Sequence, residues 1–169
     1  MPDAPPIPPG VISLRPVRRS DLPLLFGFQC DPEANGMAGT KPRGEAAFFA
    51  VWEKVLSDSA VVHRAVMLDG AVVGTINCFR ADGVDAVGYW IDRQHWGKGI
   101  ATRALELFLK DFARRPLHAT AAKSNAASIR VLERCGFRCK GSHMGEETDR
   151  YTAREVATFV LEDERPARL

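Results

Sequence analysis

GYWIDRQHWGKGIATRAL, residues 88–105, begins as a strand and ends as a helix. Over residues 84–91, Val87, Tyr89 and Ile91 alternate with Ala86, Gly88 and Trp90, the period of two that a strand requires. From residue 99 the period changes. Ile100, Ala104, Leu105, Phe108, Leu109 and Phe112 form one apolar stripe along a helix expected over 99–114, and Pro116 stops it. At the change-over stand Gly97 and Gly99, separated by Lys98. Glycine reaches backbone angles that other residues avoid and lets a ligand approach the chain closely. Successive N–H groups there can form a concave anion site. The helix adds its orphan N–H groups and positive end, worth ~0.3–1 kcal/mol to an anion and up to ~2 when partly buried. The junction is a candidate phosphate cradle, with a glycine-rich turn that holds nothing as the alternative. Two familiar loops are excluded. G-x-x-x-x-G-K-[ST] does not fit residues 92–102, and Thr102 stands where G-x-G-x-x-G needs its third glycine.

Working outward, residues 61–68 and 71–80 are β-rich and joined by Asp69-Gly70, a hairpin dipeptide. A first strand is expected over 11–17. Ser20 and Asp21 suit a helix cap ahead of Leu22, Leu24, Leu25 and Phe28. Residues 32–44, rich in Gly and Pro, read as a loop or broken helix. A helix over 45–57 carries Phe48, Phe49, Trp52, Val55 and Leu56 at helical spacing. Beyond the central helix, residues 117–122 read as a strand. Ser124 or Asn125 caps a helix to Cys135, and Gly136 suits the left-handed turn that ends it. Strands at 137–143 and 154–162 complete one domain over residues 11–162, between a Pro-rich tail (1–10) and a polar C-terminal tail (163–169).

The chain of 169 residues suits one domain with a sizeable core, and its 46% apolar and 26% charged residues are an ordinary globular balance. A net charge of +2 gives no argument for nucleic acid. No stretch approaches the ~18 apolar residues of a membrane helix. The N-terminus lacks the charged start and apolar run of a signal peptide. Cys30, Cys78, Cys135 and Cys139 show neither zinc-like spacing nor a disulfide framework, so no metal is expected and a reducing cytoplasm is the default. Cys78 reads as core.

A second segment bears on the glycine loop. Gln94 to Ala101, QHWGKGIA, matches the Q/R-x-x-G-x-G/A signature of the GNAT acetyltransferase superfamily, and the flanking GYWID and IATRA resemble its Rim-type branch, enzymes similar to ribosomal-protein N-terminal acetyltransferases. Ser124 to Phe137, SNAASIRVLERCGF, resembles the N-x-x-S…G-F stretch of the same branch. The resemblance covers about residues 11–162 and implies a mixed, mostly antiparallel twisted sheet of six or seven strands (an α/β, or α+β, fold), splayed between strands 4 and 5 and flanked by about four helices. It implies acetyl-CoA as co-substrate, an amine acceptor as partner, no nucleic acid and no membrane, and a monomer or homodimer of bacterial origin. The loop amides from His95 to Ile100 would hold the CoA diphosphate, with Gln94, Trp96, Gly97, Lys98, Gly99, Ala101 and Thr102 completing the cradle. The backbone of Tyr89, Trp90 and Ile91 would pair with pantetheine as with an added strand.

Individual side chains keep two readings. Lys98 adds charge beside a phosphate or is solvated. Trp90 and Trp96 read first as packing residues, second as an adenine platform. Ser128 matches the serine of N-x-x-S and is the candidate proton donor to sulfur; its rival role is packing or a bond to the i−4 carbonyl. Asn125 fixes pantetheine or caps the helix. Two positions depart from the family pattern: Arg93, where proline is frequent, and Arg103, where glutamate is frequent. Arg93 is expected to bring positive charge to the CoA side and Arg103 to face solvent. Glu45, Glu146, Glu147 and Asp149 are candidate bases with no pairing pattern to choose between them. An α-amine, titrating near 7.7–8.0, costs only ~1–1.4 kcal/mol to neutralise at pH 7, against ~4.6 kcal/mol for a lysine amine. A site without an evident strong base therefore favours a peptide or protein N-terminus as acceptor. A small amine (antibiotic, polyamine or amino-acid derivative) is the first alternative, and a non-catalytic acyl-CoA sensor the second.

Overall fold

A computed structural model of the chain describes residues 4–163. β1 (Ile12–Arg15) forms one edge of the sheet. α1 (Leu22–Gln29), α2 (Pro32–Ala38) and α3 (Glu45–Ser57) follow. The chain then runs as a meander. β2 (Val62–Leu68) turns into β3 (Ala71–Ala81) through Asp69 and Gly70, whose φ values of 49° and 84° are those of a type I′ hairpin turn. Asp82 and Gly83, at 50° and 81°, repeat the device and return the chain as β4 (Val84–Ile91).

After β4 the chain crosses over as α4 (Ile100–Asp111) and comes back as β5 (Leu117–Ala122). α5 (Ala126–Arg134) leads into the final hairpin, β6 (Arg138–Gly145) and β7 (Arg154–Leu161). The sheet order is β1-β2-β3-β4-β5-β7-β6, and every neighbouring pair is antiparallel except β4 with β5.

Each face of the sheet buries its own cluster. The larger joins Val66, Ile76, Val87 and Ile91 to Ile100, Ala104, Leu105 and Phe108 of α4 and to Leu132 and Phe137. Cys78 lies within it, as its place in an apolar strand suggested. The smaller joins Ala65 and Met67 to Leu22 and Leu25 of α1 and to Phe48 and Trp52 of α3. Among the described residues no helix is long and apolar enough to cross a membrane.

The structure departs from the sequence-based expectation in four places. Residues 32–38, read as a loop or broken helix, form a regular short helix, which brings the helices among the described residues to five. The Asp31 carboxylate accepts from the N–H groups of Glu33 and Ala34, Pro32 occupies the first turn, and Gly39 ends the helix at φ 72°. Pro and Gly there punctuate a short helix rather than forbid one. Asp21 does not cap α1; its carboxylate takes two hydrogen bonds from Arg15, at 2.7 and 2.8 Å, and one from the Arg18 N–H. β1 is shorter than expected, and the central helix ends at Asp111. Of the two tails, residues 1–3 and 164–169 lie outside the described residues.

Candidate active site

β4 and β5 share one bridged pair, Ala86 with His118. On its other side β4 continues to pair with β3 as far as Ile91, opposite Gly74, and β5 pairs along its length with β7. The two strands therefore part after Ala86, and the β4 edge from Val87 to Ile91 faces a gap. Such an edge presents N–H and C=O groups that require partners. Tyr89, Trp90 and Ile91 all lie on it.

The glycine loop lies at the mouth of this gap. Residues 93–95 make one 3₁₀ turn, closed by the His95 N–H on the Asp92 carbonyl and the Trp96 N–H on that of Arg93. The Trp96 indole N–H bonds to the Ile91 carbonyl at 2.8 Å, which pins the loop to the end of β4. Gly97 and Gly99 then take positive φ, 73° and 74°. Arg103 is the first residue whose N–H reaches a helical carbonyl, that of Gly99, so the donors from Gly97 to Thr102 have no intrahelical acceptor.

The two glycines differ in their surroundings. A Cβ on Gly99 would lie 1.9 Å from the Pro6 carbonyl oxygen, because the N-terminal tail passes over it. A Cβ on Gly97 would meet nothing within 4 Å. One glycine is required by a close backbone approach, while the other faces open space. The His95 Nδ1 in the same loop is buried and has no hydrogen-bond partner within the chain. Open space over Gly97 and orphan donors fit an anionic ligand.

Gln94, Lys98 and Ala101 sit on the rim. The Lys98 ammonium reaches back to the Gln94 carbonyl at 3.3 Å, and Lys98 is exposed. Ile100 and Thr102 are buried, so they shape the helix entry from below. Trp90 points to the opposite face of the sheet, where its indole N–H bonds to the Phe28 carbonyl at 3.2 Å.

Arg93 does not bring its charge to the loop. It pairs with Asp31 at 2.6 Å and Glu33 at 3.1 Å, tying the 3₁₀ turn to the start of α2. The Arg93 guanidinium holds the Asp31 carboxyl below the usual carboxylate range. Arg103 faces solvent and meets Glu106 one turn on.

Across the gap, the Asn125 carboxamide oxygen accepts the Ser128 N–H at 3.2 Å and so caps α5. The Ser128 hydroxyl meets that of Tyr89 at 2.7 Å. Burial pushes the Tyr89 hydroxyl up to about 12, against the smaller downward pull of Ser128. Sequence reasoning placed Tyr89 here for its backbone and missed its hydroxyl. The one available signal was that a tyrosine within an apolar strand needs a partner for its buried O–H.

The β6–β7 loop folds against the α2–α3 loop. Thr40 bridges Tyr151, the Lys41 N–H bonds to the Arg150 carbonyl, and the Arg150 guanidinium donates to the Lys41 carbonyl. Lys41 pairs with Glu147 at 2.6 Å and, with the Ala153 N–H, holds that carboxyl below its ordinary range. Glu45, Glu146 and Asp149 are exposed. The described carboxyls whose proton affinity is shifted are Asp21, Asp31, Glu147 and Glu155, all downward and chiefly through a cationic partner. Arg150 is made less basic, first by burial and then by the Arg43 charge. Among the described residues neither arginine has a carboxylate partner.

A mixed sheet opened at its parallel junction, with a glycine-rich helix entry at the mouth, is the architecture of the acetyltransferase (GNAT) domain. The acetyltransferase (GNAT) domain model matches residues 12–138, and the chain belongs to that family. Two curated relatives from Bacillus subtilis agree. The probable N-acetyltransferase YjcK is 35% identical over 82 residues, 43% of this chain and 45% of its own length. The putative ribosomal N-acetyltransferase YdaF is 32% identical over 93 residues, 51% of each. The chain thus spans about half the length of the curated relatives it matches.

Solved structures share the fold along most of the chain. Mycobacterium smegmatis RimJ in complex with CoA-disulfide superposes with a TM-score of 0.77 at 22% identity, covering 96% of this chain and 87% of its own. Spermidine N-acetyltransferase from Vibrio cholerae, in complex with CoA and spermine, gives 0.74 at 19% identity over 89% and 95%.

Proposed function

We propose that the protein transfers an acetyl group from acetyl-CoA to the α-amine of a peptide or protein N-terminus, by direct attack of the amine on the bound thioester. The loop amides from Gly97 to Ile100 hold the diphosphate, because those of His95 and Trp96, expected to join them, already close the 3₁₀ turn; Thr102 and Ala101 stand on the first turn of α4 and Gln94, Trp96 and Lys98 on the rim. Pantetheine runs along the free edge of Tyr89, Trp90 and Ile91, and a backbone N–H near the end of β4 faces the developing oxyanion. Asn125 sets the first turn of α5, and Ser128 donates to the departing sulfur. Membership of the family, the YdaF relative and the CoA complexes of the structural neighbours support this reading.

The choice of acceptor rests on charge. Among the described residues Arg43 and Arg150 have no carboxylate partner; they stand on the loops that border the acceptor side in this family, and the Arg43 charge disfavours that of Arg150. That pair of guanidiniums offers a polycation such as a polyamine no anionic partner. The shifted carboxyls are all made weaker bases, which suits an amine that only ~1–1.4 kcal/mol makes neutral at pH 7.

The test is CoA release from acetyl-CoA with a panel of short peptides of varied first residue, set against spermidine and an aminoglycoside. Saturable turnover with peptides alone supports the proposal. Turnover with spermidine alone overturns the choice of acceptor, and silence with every amine despite CoA binding makes the protein an acyl-CoA sensor.

A further inference from the structure

The Tyr89 hydroxyl and the Ser128 hydroxyl carry one hydrogen each, and where those hydrogens point decides what Ser128 can do. Tyr89 Oη lies 2.7 Å from Ser128 Oγ, where either atom can donate, and 3.2 Å from the Ser128 carbonyl oxygen. The first separation is at the mode for O–H···O bonds, and the second lies beyond their usual range of about 2.5–3.0 Å. Two placements are open. In one, Tyr89 donates along the long separation and Ser128 spends its hydrogen on Tyr89. In the other, Tyr89 donates along the short one, and the Ser128 hydrogen is left for a third atom.

The surroundings favour the second placement once a sulfur is present. The helical alternative for Ser128, a bond back to the Ser124 carbonyl, is not formed; that carbonyl accepts from the Ala126 N–H. The Ser128 N–H is already held by Asn125. Ser128 thus sits in the first turn of α5, where the helix's positive end favours a thiolate. Tyr89 keeps its hydrogen throughout the neutral range, because burial makes it a weak acid. The bond also joins β4 to the helix that follows β5, and so spans the two strands that part at Ala86.

We propose that Tyr89 is a positioning residue: its O–H donates to Ser128 Oγ and turns the Ser128 hydrogen toward the leaving sulfur of the thioester. The inference rests on the reading of Ser128 given above. In the transfer, the amine nitrogen forms a bond to the acetyl carbon and the C–S bond breaks with its electron pair on sulfur. Sulfur takes the Ser128 hydrogen. Ser128 Oγ, held by the Tyr89 hydrogen, regains a proton through solvent from the amine, which gives one up. Tyr89 begins and ends with its own.

The test needs no acceptor. The thiol of CoA bound to the intact protein is titrated by its thiolate absorbance in wild type, Tyr89→Phe, Ser128→Ala and the double variant, each blanked against the same protein without CoA. A donor aimed at sulfur stabilises the thiolate, so wild type should show the most acidic thiol. Losing one hydrogen bond to a charged atom should lower the ionisation constant about tenfold or more in Ser128→Ala. Tyr89→Phe, which frees the Ser128 hydroxyl to rotate, should reproduce a clear part of that loss alone and add almost nothing in the double variant.

Equal effects of Tyr89→Phe in both backgrounds, or none in either, overturn the proposal. An unchanged thiol in Ser128→Ala overturns it too, by removing Ser128 from the sulfur. Failure of wild type to bind CoA sinks the reading beneath it instead. Ser128→Thr keeps the hydroxyl and should restore the wild-type thiol, which guards against misfolding of the alanine variant.

Discussion

Gly97→Ala separates a glycine held for its backbone angle from one held for a ligand. At φ 73° an alanine is strained, and the left-handed conformation costs an L-residue roughly 1–2 kcal/mol. No steric cost is added, because the new methyl meets nothing within 4 Å. In a domain of this size that strain should lower the unfolding temperature by roughly 2–8 °C.

CoA affinity should fall by more than strain explains. The methyl fills the space above the loop through which a diphosphate reaches the orphan N–H groups, and one charge-assisted hydrogen bond is worth about 1.5–3 kcal/mol, or roughly 10- to 150-fold in Kd. Differential scanning fluorimetry without ligand and titration calorimetry with CoA measure the two effects separately. A variant that melts lower by the expected amount yet binds CoA within about twofold of wild type would refute the cradle, since the space over Gly97 would then be empty for no purpose.

Three other outcomes follow from hydrogen bonds elsewhere in the chain. Asp21→Asn should cost about 1.5–3 kcal/mol at pH 7, the worth of bonds to a charged group. Arg15, chiefly, lowers the Asp21 pKa in the fold, so this stability is fully present above the unfolded value of about 3.9 and lost as pH falls through the folded one. Urea titrations should show wild type and variant converging in acid. His63 accepts the Val17 N–H through Nδ1 at 3.1 Å, and burial, then Arg64, lowers its pKa. Its contribution is present above the unfolded value near 6.5 and lost as pH falls through the folded one, so His63→Gln should flatten the stability profile on the acid side of about pH 6.5. Asn125→Ala removes the cap of α5 and should lower stability by about 1 kcal/mol in chemical denaturation.

Local punctuation made most of the fold legible. Asp69-Gly70 announced a hairpin, and the structure supplies the two positive φ values that dipeptide favours. Gly136, at φ 90°, ends α5 where the sequence placed its stop. The change of period at Gly99 located the strand-to-helix junction within a residue or two, because glycine, orphan donors and the apolar stripe coincide there. Residues 32–38 stayed undecided between loop and broken helix because Pro32 and Gly39 bracket a helix too short to show a stripe, and its cap, Asp31, looks like any loop aspartate. The paired groups were illegible for a different reason. Arg93 meets Asp31, and Tyr89 meets Ser128, over separations of 62 and 39 residues. No periodicity reports such pairings, which exist only once the sheet order has brought the segments together.

That sheet order also explains why every candidate group gathers in one place. An antiparallel meander turns back on itself through two-residue hairpins and leaves no helix end at its edges. A parallel pair cannot be joined that way and needs a crossover, here α4. Placing one parallel pair in an otherwise antiparallel sheet therefore creates, at a single point, the end of β4 and the N-terminus of α4. Because β4 and β5 bridge only at Ala86 and His118, the same junction leaves a strand edge free beside that helix end. The first supplies donors for an anion, and the second supplies a ladder for an extended chain. A ligand with a diphosphate followed by an amide-bearing arm uses both in order. Closing the gap by lengthening the β4–β5 pairing would remove the ladder without touching the loop. The loop and the gap thus make separable contributions, and a ligand fragment carrying the diphosphate without the arm should lose the second while keeping the first.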